Sequence, residues 1–296
     1  MHGPAGLARA RAARRGLLLR DPDAGDPPPR AGARRRGADA ARRLWLEPAV
    51  RARLPAAAAR GASRGASALE RQGDRLRSAV RFSSLGPLLF AHSAYPTTDA
   101  DAVFFGPDTY RFAALIEQRI ERAGAVADIG CGSGAGGLLL ARRAQSVQLL
   151  DINPRAVRFA RANAELNGLA ARAAQSDVLS AAEGRLDLII ANPPYLADDL
   201  RRAYRDGGEG LGTALSARIA REALERLLPG GRLLLYTATP VVDGAHLLWP
   251  ALERLLSGTR WDYRELDPDV FGEELDRYNY ATVERIAVVA LDVTRR

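Results

Sequence analysis

The stretch V-A-D-I-G-C-G-S-G-A-G-G, Val126 to Gly137, decides the fold. The residues Ala125–Ile129 read as a short buried strand. Gly130, Gly132 and Gly134 follow, and glycine lets the backbone turn tightly and approach a ligand with no Cβ in the way. Leu138–Arg143 then continues as helix. Gly132, Gly134 and Gly137 also satisfy G-x-G-x-x-G, the dinucleotide fingerprint. Taken alone, the stretch therefore leaves open a dinucleotide, another nucleoside ligand, or a glycine turn with no ligand.

Outward from it, strands and helices alternate. Tyr110–Ala123 has helical periodicity, with Phe112, Leu115, Ile116 and Ile120 on one face. Val147–Leu150 reads as the next strand, and Arg155–Asn167 as a helix with Pro154 at its start and Gly168 at its stop. A third strand is expected near Arg172–Ala174, a fourth over Leu186–Ile190, a helix over Ser216–Leu228 and a strand over Arg232–Thr237. A helix over His246–Leu256, a strand over Trp261–Leu266 and a long last strand over Val283–Val293 follow. Upstream, residues 82–105 read as a β-rich lead-in. Alternation at this spacing predicts an α/β fold with a mainly parallel sheet covered on both faces. The ligand crevice of such a sheet lies beyond the carboxyl ends of its strands. Asp128 with its glycines, Asp151, Asp177 and Asn192 all fall at such ends.

Asp151 lies 23 residues after Asp128. An acid about 20 residues past the glycines can accept hydrogen bonds from ribose hydroxyls. The same residue could cap a helix, because Asp151 and Asn153 precede Pro154. Asp177, in Q-S-D-V-L, could accept from an adenine amine or could be a loop aspartate.

Composition excludes several classes. The single cysteine, Cys131, rules out an intrachain disulfide framework and any cysteine-only zinc site. The histidines, His2, His92 and His246, make no metal-ligand spacing, so no metal is expected. No apolar run suggests a membrane span. All 43 basic residues are arginine. The net charge of +8 divides unevenly: residues 1–80 carry 18 Arg against 7 acids, a net of +11, and residues 81–296 carry 25 against 28, a net of −3. The larger part thus lacks the basic footprint of an autonomous nucleic-acid binder. A cytoplasmic enzyme is expected.

Residues 1–78 are expected to be a low-complexity, disordered segment. Ala, Arg, Gly and Pro make up 55 of the first 80 residues, and Trp45 is the one aromatic among them. Short helical pieces are expected around Ala38–Leu46 and Ala66–Ser78. A basic arm that contacts phosphate, a targeting segment, and a wrong start or reading frame in a GC-rich gene are the readings of this segment, and its composition favours the last. The chain divides into 1–78, a lead-in at 79–110 and a catalytic domain at 111–296.

The string A-N-P-P-Y, Ala191 to Tyr195, ends the fourth main strand. Its two prolines fix the backbone and leave carbonyls without local N–H competition. A planar nitrogen group has two hydrogens to place. The Asn192 side-chain oxygen can take one and the Pro193 carbonyl the other, while Tyr195 offers a flat surface. Such a site works by alignment and electrostatics.

Together, D-I-G-C-G-S-G, L-L-D-I-N, S-D-V-L and A-N-P-P-Y resemble a class I S-adenosylmethionine-dependent methyltransferase, over roughly Phe104 to Val293. The resemblance implies a seven-stranded Rossmann-like sheet whose last strand is antiparallel. It implies S-adenosylmethionine as cofactor, with Asp128, Gly130, Gly132, Gly134, Asp151, Asp177 and Asn192 in its site. Asn192, Pro193 and Tyr195 are implied as catalytic. The tetrad is similar to that of enzymes acting on amide or amine nitrogen. Asp206-Gly207-Gly208-Glu209-Gly210-Leu211 is similar to a D-G-G-x-D-G-L stretch of release-factor glutamine methyltransferases. Phe105-Gly106-Pro107-Asp108-Thr109 lies where that family has a substrate-proximal P-R-P-E-T-E. The expected acceptor is a protein glutamine of release-factor type, with an exocyclic amine of a nucleic-acid base or a small molecule as alternatives. A nicotinamide dehydrogenase does not account for Asn192–Tyr195, and a chain without lysine has no Tyr-x-x-x-Lys pair.

Overall fold

The computed structural model describes residues 69–72 and 75–296, with side chains from residue 78 onward. The expectations for residues 1–68, including the helical piece at Ala38–Leu46, lie outside the described residues.

The first described element corrects an expectation. Leu69–Gln72 (β1) and Arg75–Ser78 (β2) form an antiparallel pair where a short helix was expected around Ala66–Ser78. Leu69 pairs with Ser78 and Gln72 with Arg75. Val80–Leu85 (β3) and Leu88–Ser93 (β4) make a second hairpin, in agreement with the β-rich lead-in.

Helix α1, Pro107–Arg119, begins at a proline, and the Gly106 N–H donates to Thr109 Oγ1 at 3.3 Å. The main sheet follows: β5 (Ala123–Ile129), β6 (Ala144–Asp151), β7 (Arg172–Gln175), β8 (Leu186–Ala191), β9 (Leu227–Val242), β10 (Ala245–His246), β11 (Arg260–Asp267) and β12 (Arg285–Thr294). Its order is β11-β12-β9-β8-β5-β6-β7, with the two-residue β10 beside β9. Strands β5 to β9 pair in parallel, and β12 runs antiparallel to both β9 and β11. The expected seven-stranded sheet with an antiparallel last strand is what forms.

Strand β9 starts earlier than expected. Leu227 already pairs with Leu186, and an irregularity in register absorbs Pro229-Gly230-Gly231 before Arg232 pairs with Leu188. The helix expected from His246 begins at Trp249, because Ala245 and His246 pair back onto Val242 and Val241.

Both faces of the sheet are buried, so its strands read as apolar runs rather than alternations. On one face Val126, Leu149, Ile190, Leu234 and Tyr236 meet α1, α2 (Ala135–Leu140) and α3 (Pro154–Leu166). On the other, Ala127, Leu150, Ile189, Leu233 and Leu235 meet α4 (Ala214–Arg226) and α5 (Trp249–Leu256). The lead-in shares the first core through Leu88, Phe90 and Phe105.

The hairpin is fastened to α3 by two asparagines one turn apart. Asn163 accepts from the Ala91 N–H at 2.7 Å and donates to the Ala91 carbonyl at 2.9 Å. Asn167 does the same with Leu89, at 3.0 and 2.8 Å. Each amide stands in for a neighbouring strand. Asn163 also donates to the Ser133 carbonyl at 2.9 Å, tying the hairpin to the glycine turn.

Candidate active site

The chain leaves β5 towards β6 and later returns to place β8 on the other side of β5, so the sheet reverses order there. A crevice opens at such a point. A cleft of about 540 Å³ lies there, within the range of ligand pockets. Asp128, Gly130, Gly132, Asp151, Asp177, Asn192 and Pro193 line it. Gly134 starts α2 behind it. The four strand ends expected to converge do so.

The glycine turn is left-handed at Gly130, Gly132 and Gly134, with φ of 64°, 54° and 83°. A Cβ on Gly130 would find nothing nearer than Pro193 Cα at 3.9 Å, so conformation rather than crowding requires glycine there. Asp151 holds the turn in place. One of its oxygens accepts from the Gly132 N–H at 2.8 Å and the other from the Asn153 N–H at 2.9 Å. Asn153, whose side chain accepts from the Arg155 N–H at 2.8 Å, is the cap of α3. The capping alternative for Asp151 therefore falls to its neighbour, and Asp151 lines the cleft.

Asp128 is fully buried and accepts from the Gly137 N–H at 2.7 Å. Burial, with the nearby Asp151 charge, pushes its carboxyl up to about 7. Burial also raises Asp151. Cys131 is buried beside both acids and its thiol is held well above the usual range, which suits a small space-filling residue.

Asp177 sits on the cleft wall, but Arg218 takes both its carboxylate oxygens, at 2.8 and 2.9 Å. Asn192 lines the cleft with no side-chain partner among the described residues. Tyr195 departs from its expected place. It is buried, does not line the cleft, and turns its hydroxyl to Asp108.

Other cleft residues carried little sequence signal. Phe104 and Tyr204 stack at 5.9 Å with planes 14° apart, and Tyr204 donates to the Thr97 carbonyl at 2.6 Å. Arg201 is exposed at the mouth with φ of 48°. Asp108 lies in the quoted Pro107-Asp108-Thr109. Tyr236, fully buried in an apolar strand, lies outside the cleft lining, and its hydroxyl takes a partner as a buried tyrosine must.

The segment 267–280 is partly buried. Glu274 pairs with Arg205 and Arg277, which makes burial of its charge tolerable. The hydroxyl of the buried Tyr280 accepts from the Ala197 N–H at 2.9 Å. The segment thereby fixes the loop that follows Asn192–Tyr195. His92 is a buried structural histidine, bonded to Ser83 and the Ser93 carbonyl at 2.9 Å each, with its pKa lowered by burial.

Among the described residues no helix is long and apolar enough to cross a membrane, and no His, Cys, Asp and Glu cluster could hold a metal. The cleft fits S-adenosylmethionine. Left-handed glycines leave its floor open, and buried carboxylates at Asp128 and Asp151 suit a cationic ligand with ribose hydroxyls.

Comparison with known proteins agrees. Residues 109–241 match the family model described as methyltransferase small domain. The chain is 39% identical over 110 residues to ribosomal RNA small subunit methyltransferase C of Chromohalobacter salexigens, a match spanning 37% of this chain and 30% of that protein. It is 34% identical over 194 residues to release factor glutamine methyltransferase of Deinococcus radiodurans, spanning 60% of this chain and 66% of that one. The fold is similar to that of Trm5b from Pyrococcus abyssi, with a TM-score of 0.53 at 17% identity over 76% of this chain and 62% of that one. The chain thus spans less than the full length of these relatives. Over residues 109–241 the chain carries a methyltransferase small domain.

Proposed function

We propose that the protein transfers a methyl group to a planar nitrogen, the side-chain amide of a glutamine in a protein substrate. One observation carries the reading: Asn192 and Pro193 line the same cleft as Asp151 and the glycine turn. S-adenosylmethionine, when bound, supplies a methyl carbon made electrophilic by the sulfonium. Asp151 would hold the ribose side of that ligand, and the glycine turn its methionyl side.

The chain's own residues do the rest. The Asn192 side-chain oxygen and the Pro193 carbonyl accept the two N–H groups of the acceptor. These bonds fix the nitrogen and turn its lone pair towards the methyl carbon. Alignment of this kind needs no covalent enzyme intermediate.

A protein acceptor is favoured by the longer match to the release-factor enzyme and by the glycine-rich stretch from Asp206 packed against the tetrad. The cleft also holds more acids than arginines, with Asp108, Asp128, Asp151, Asp177 and Asp206 against Arg201 and Arg218, which disfavours a polyanion. One observation favours a nucleobase instead: the Phe104–Tyr204 pair beside Arg201 is a surface on which a base could stack. Incubation with methyl-labelled S-adenosylmethionine and a lysate lacking the gene separates the readings. Label destroyed by protease is expected; label destroyed by nuclease would transfer the assignment to a base.

A further inference from the structure

Asp108 is reached from two other elements. Tyr195, in the turn after β8, donates its hydroxyl to one carboxylate oxygen at 2.5 Å. Tyr236, within β9, donates to the other at 3.0 Å. Asp108 itself lies in the first turn of α1 and lines the cleft, with Arg111 at 3.8 Å. Burial and the Asp108 charge push both tyrosine hydroxyls upward, so they stay protonated donors.

The Tyr195 hydroxyl ties the turn to α1. Pro193 and Pro194 have no N–H, so that stretch of backbone offers no donors to pin it. Beyond Tyr195 the chain is well held: the Leu196 N–H donates to the Arg205 carbonyl at 3.1 Å and the Gly207 N–H to the Leu196 carbonyl at 2.8 Å. On the cleft side of Leu196, the Tyr195 side chain supplies the corresponding restraint.

We propose that Asp108 is a positioning residue which, through the Tyr195 hydroxyl, braces the Asn192–Tyr195 turn and so sets where the Asn192 amide and the Pro193 carbonyl point. The proposal rests on the reading above that those two groups hold the acceptor. It gives the Tyr195 hydroxyl a duty distinct from the flat surface that its ring offers.

Tyr195→Phe separates the two duties: it keeps the ring and removes the hydroxyl. The brace predicts a kcat about 10- to 100-fold lower, with binding of S-adenosylhomocysteine changed less than twofold. Asp108→Ala, which removes both acceptor oxygens, should do the same, and the double variant should be no slower than the worse single one. Tyr236→Phe leaves the Tyr195–Asp108 bond and should slow transfer less than Tyr195→Phe. Wild-type kcat in Tyr195→Phe overturns the brace.

Nuclear magnetic resonance of the full chain reads the brace with no acceptor present. Faster exchange of the Leu196 amide and a shifted Asn192 side-chain amide are expected in Tyr195→Phe and Asp108→Ala, and smaller changes in Tyr236→Phe. Unchanged spectra in Tyr195→Phe overturn the proposal. A wild-type protein that binds S-adenosylhomocysteine but methylates nothing, with the spectra as expected, would sink the functional reading and leave the brace standing.

Discussion

Gly212 lies against the backbone of Tyr195 so closely that a Cβ on Gly212 would overlap the Tyr195 carbonyl oxygen. The contact joins the glycine-rich stretch from Asp206 to the turn bearing Asn192. Gly207 is equally confined, since a Cβ there would stand 2.8 Å from the Pro194 carbonyl. Gly212 also has φ of 93°. Gly212→Ala combines overpacking with backbone strain and should cost roughly 2–5 kcal/mol. Urea unfolding would read that loss, and methyl transfer should fall with it. A variant with the wild-type midpoint and rate would contradict this packing.

Asn192 spends its side chain on nothing else among the described residues, so its removal should be felt mainly in transfer. Asn192→Ala should lower kcat by at least about 100-fold. Calorimetry should show S-adenosylhomocysteine binding nearly intact. Loss of that binding would contradict the role given to Asn192.

The two candidate cofactor acids should behave unequally. Asp151 is buried and serves the Gly132 and Asn153 N–H groups, so Asp151→Ala removes a ligand contact and orphans two amides. Donor affinity should fall about 100-fold or more. Asp177 is half exposed and paired with Arg218. An exposed pair is screened and weak, so Asp177→Ala should cost less than about tenfold. Equal losses would mean that Asp177 leaves Arg218 to hold the ligand.

Asp128 should make its variant's stability depend on pH. Its carboxyl is raised from 3.8 to about 7 in the folded protein. Between those values the folded state keeps a proton that the unfolded chain has lost. Stability from this group therefore falls as pH rises from about 4 to about 7 and is level above. Asp128→Asn keeps an acceptor for Gly137 without the charge. The variant should match wild type near pH 4 and exceed it at pH 8, by at most roughly 4 kcal/mol at ~1.4 kcal/mol per unit. Denaturant midpoints at both pH values test this. An equal difference at both would remove the titration.

Asn163 is fully buried and joins Ala91 to Ser133. Asn163→Ala would leave the Ala91 N–H and two carbonyls unsatisfied, at a cost of about 1–3 kcal/mol for each buried group. Amide exchange at Leu89 and Ala91 should quicken before that of β5. Uniform exchange across hairpin and sheet would show that the two unfold as one.

The sequence by itself determined the order of strands and helices from Ala123 onward, because strands buried on both faces are written as apolar runs and glycine turns are written in glycine. It also determined which strand ends meet: Asp128, Asp151, Asp177 and Asn192 follow from the parallel topology alone. The β1–β2 pair was not legible. An arginine- and alanine-rich stretch carries little periodicity, and two-stranded pairing depends on the turn between. Nor was the burial of Glu274, since its partner Arg205 comes from a loop 69 positions earlier. Side-chain direction was left to the tertiary structure. Tyr195 reads as a wall of the site, yet its hydroxyl turns to Asp108, 87 positions earlier. Asp177 reads as a free acceptor, yet Arg218 from α4 takes it. A strand's carboxyl end is fixed by local pattern, but the partner of a polar side chain is chosen by whichever complementary group folding brings within about 3 Å, and that distance exists only in three dimensions.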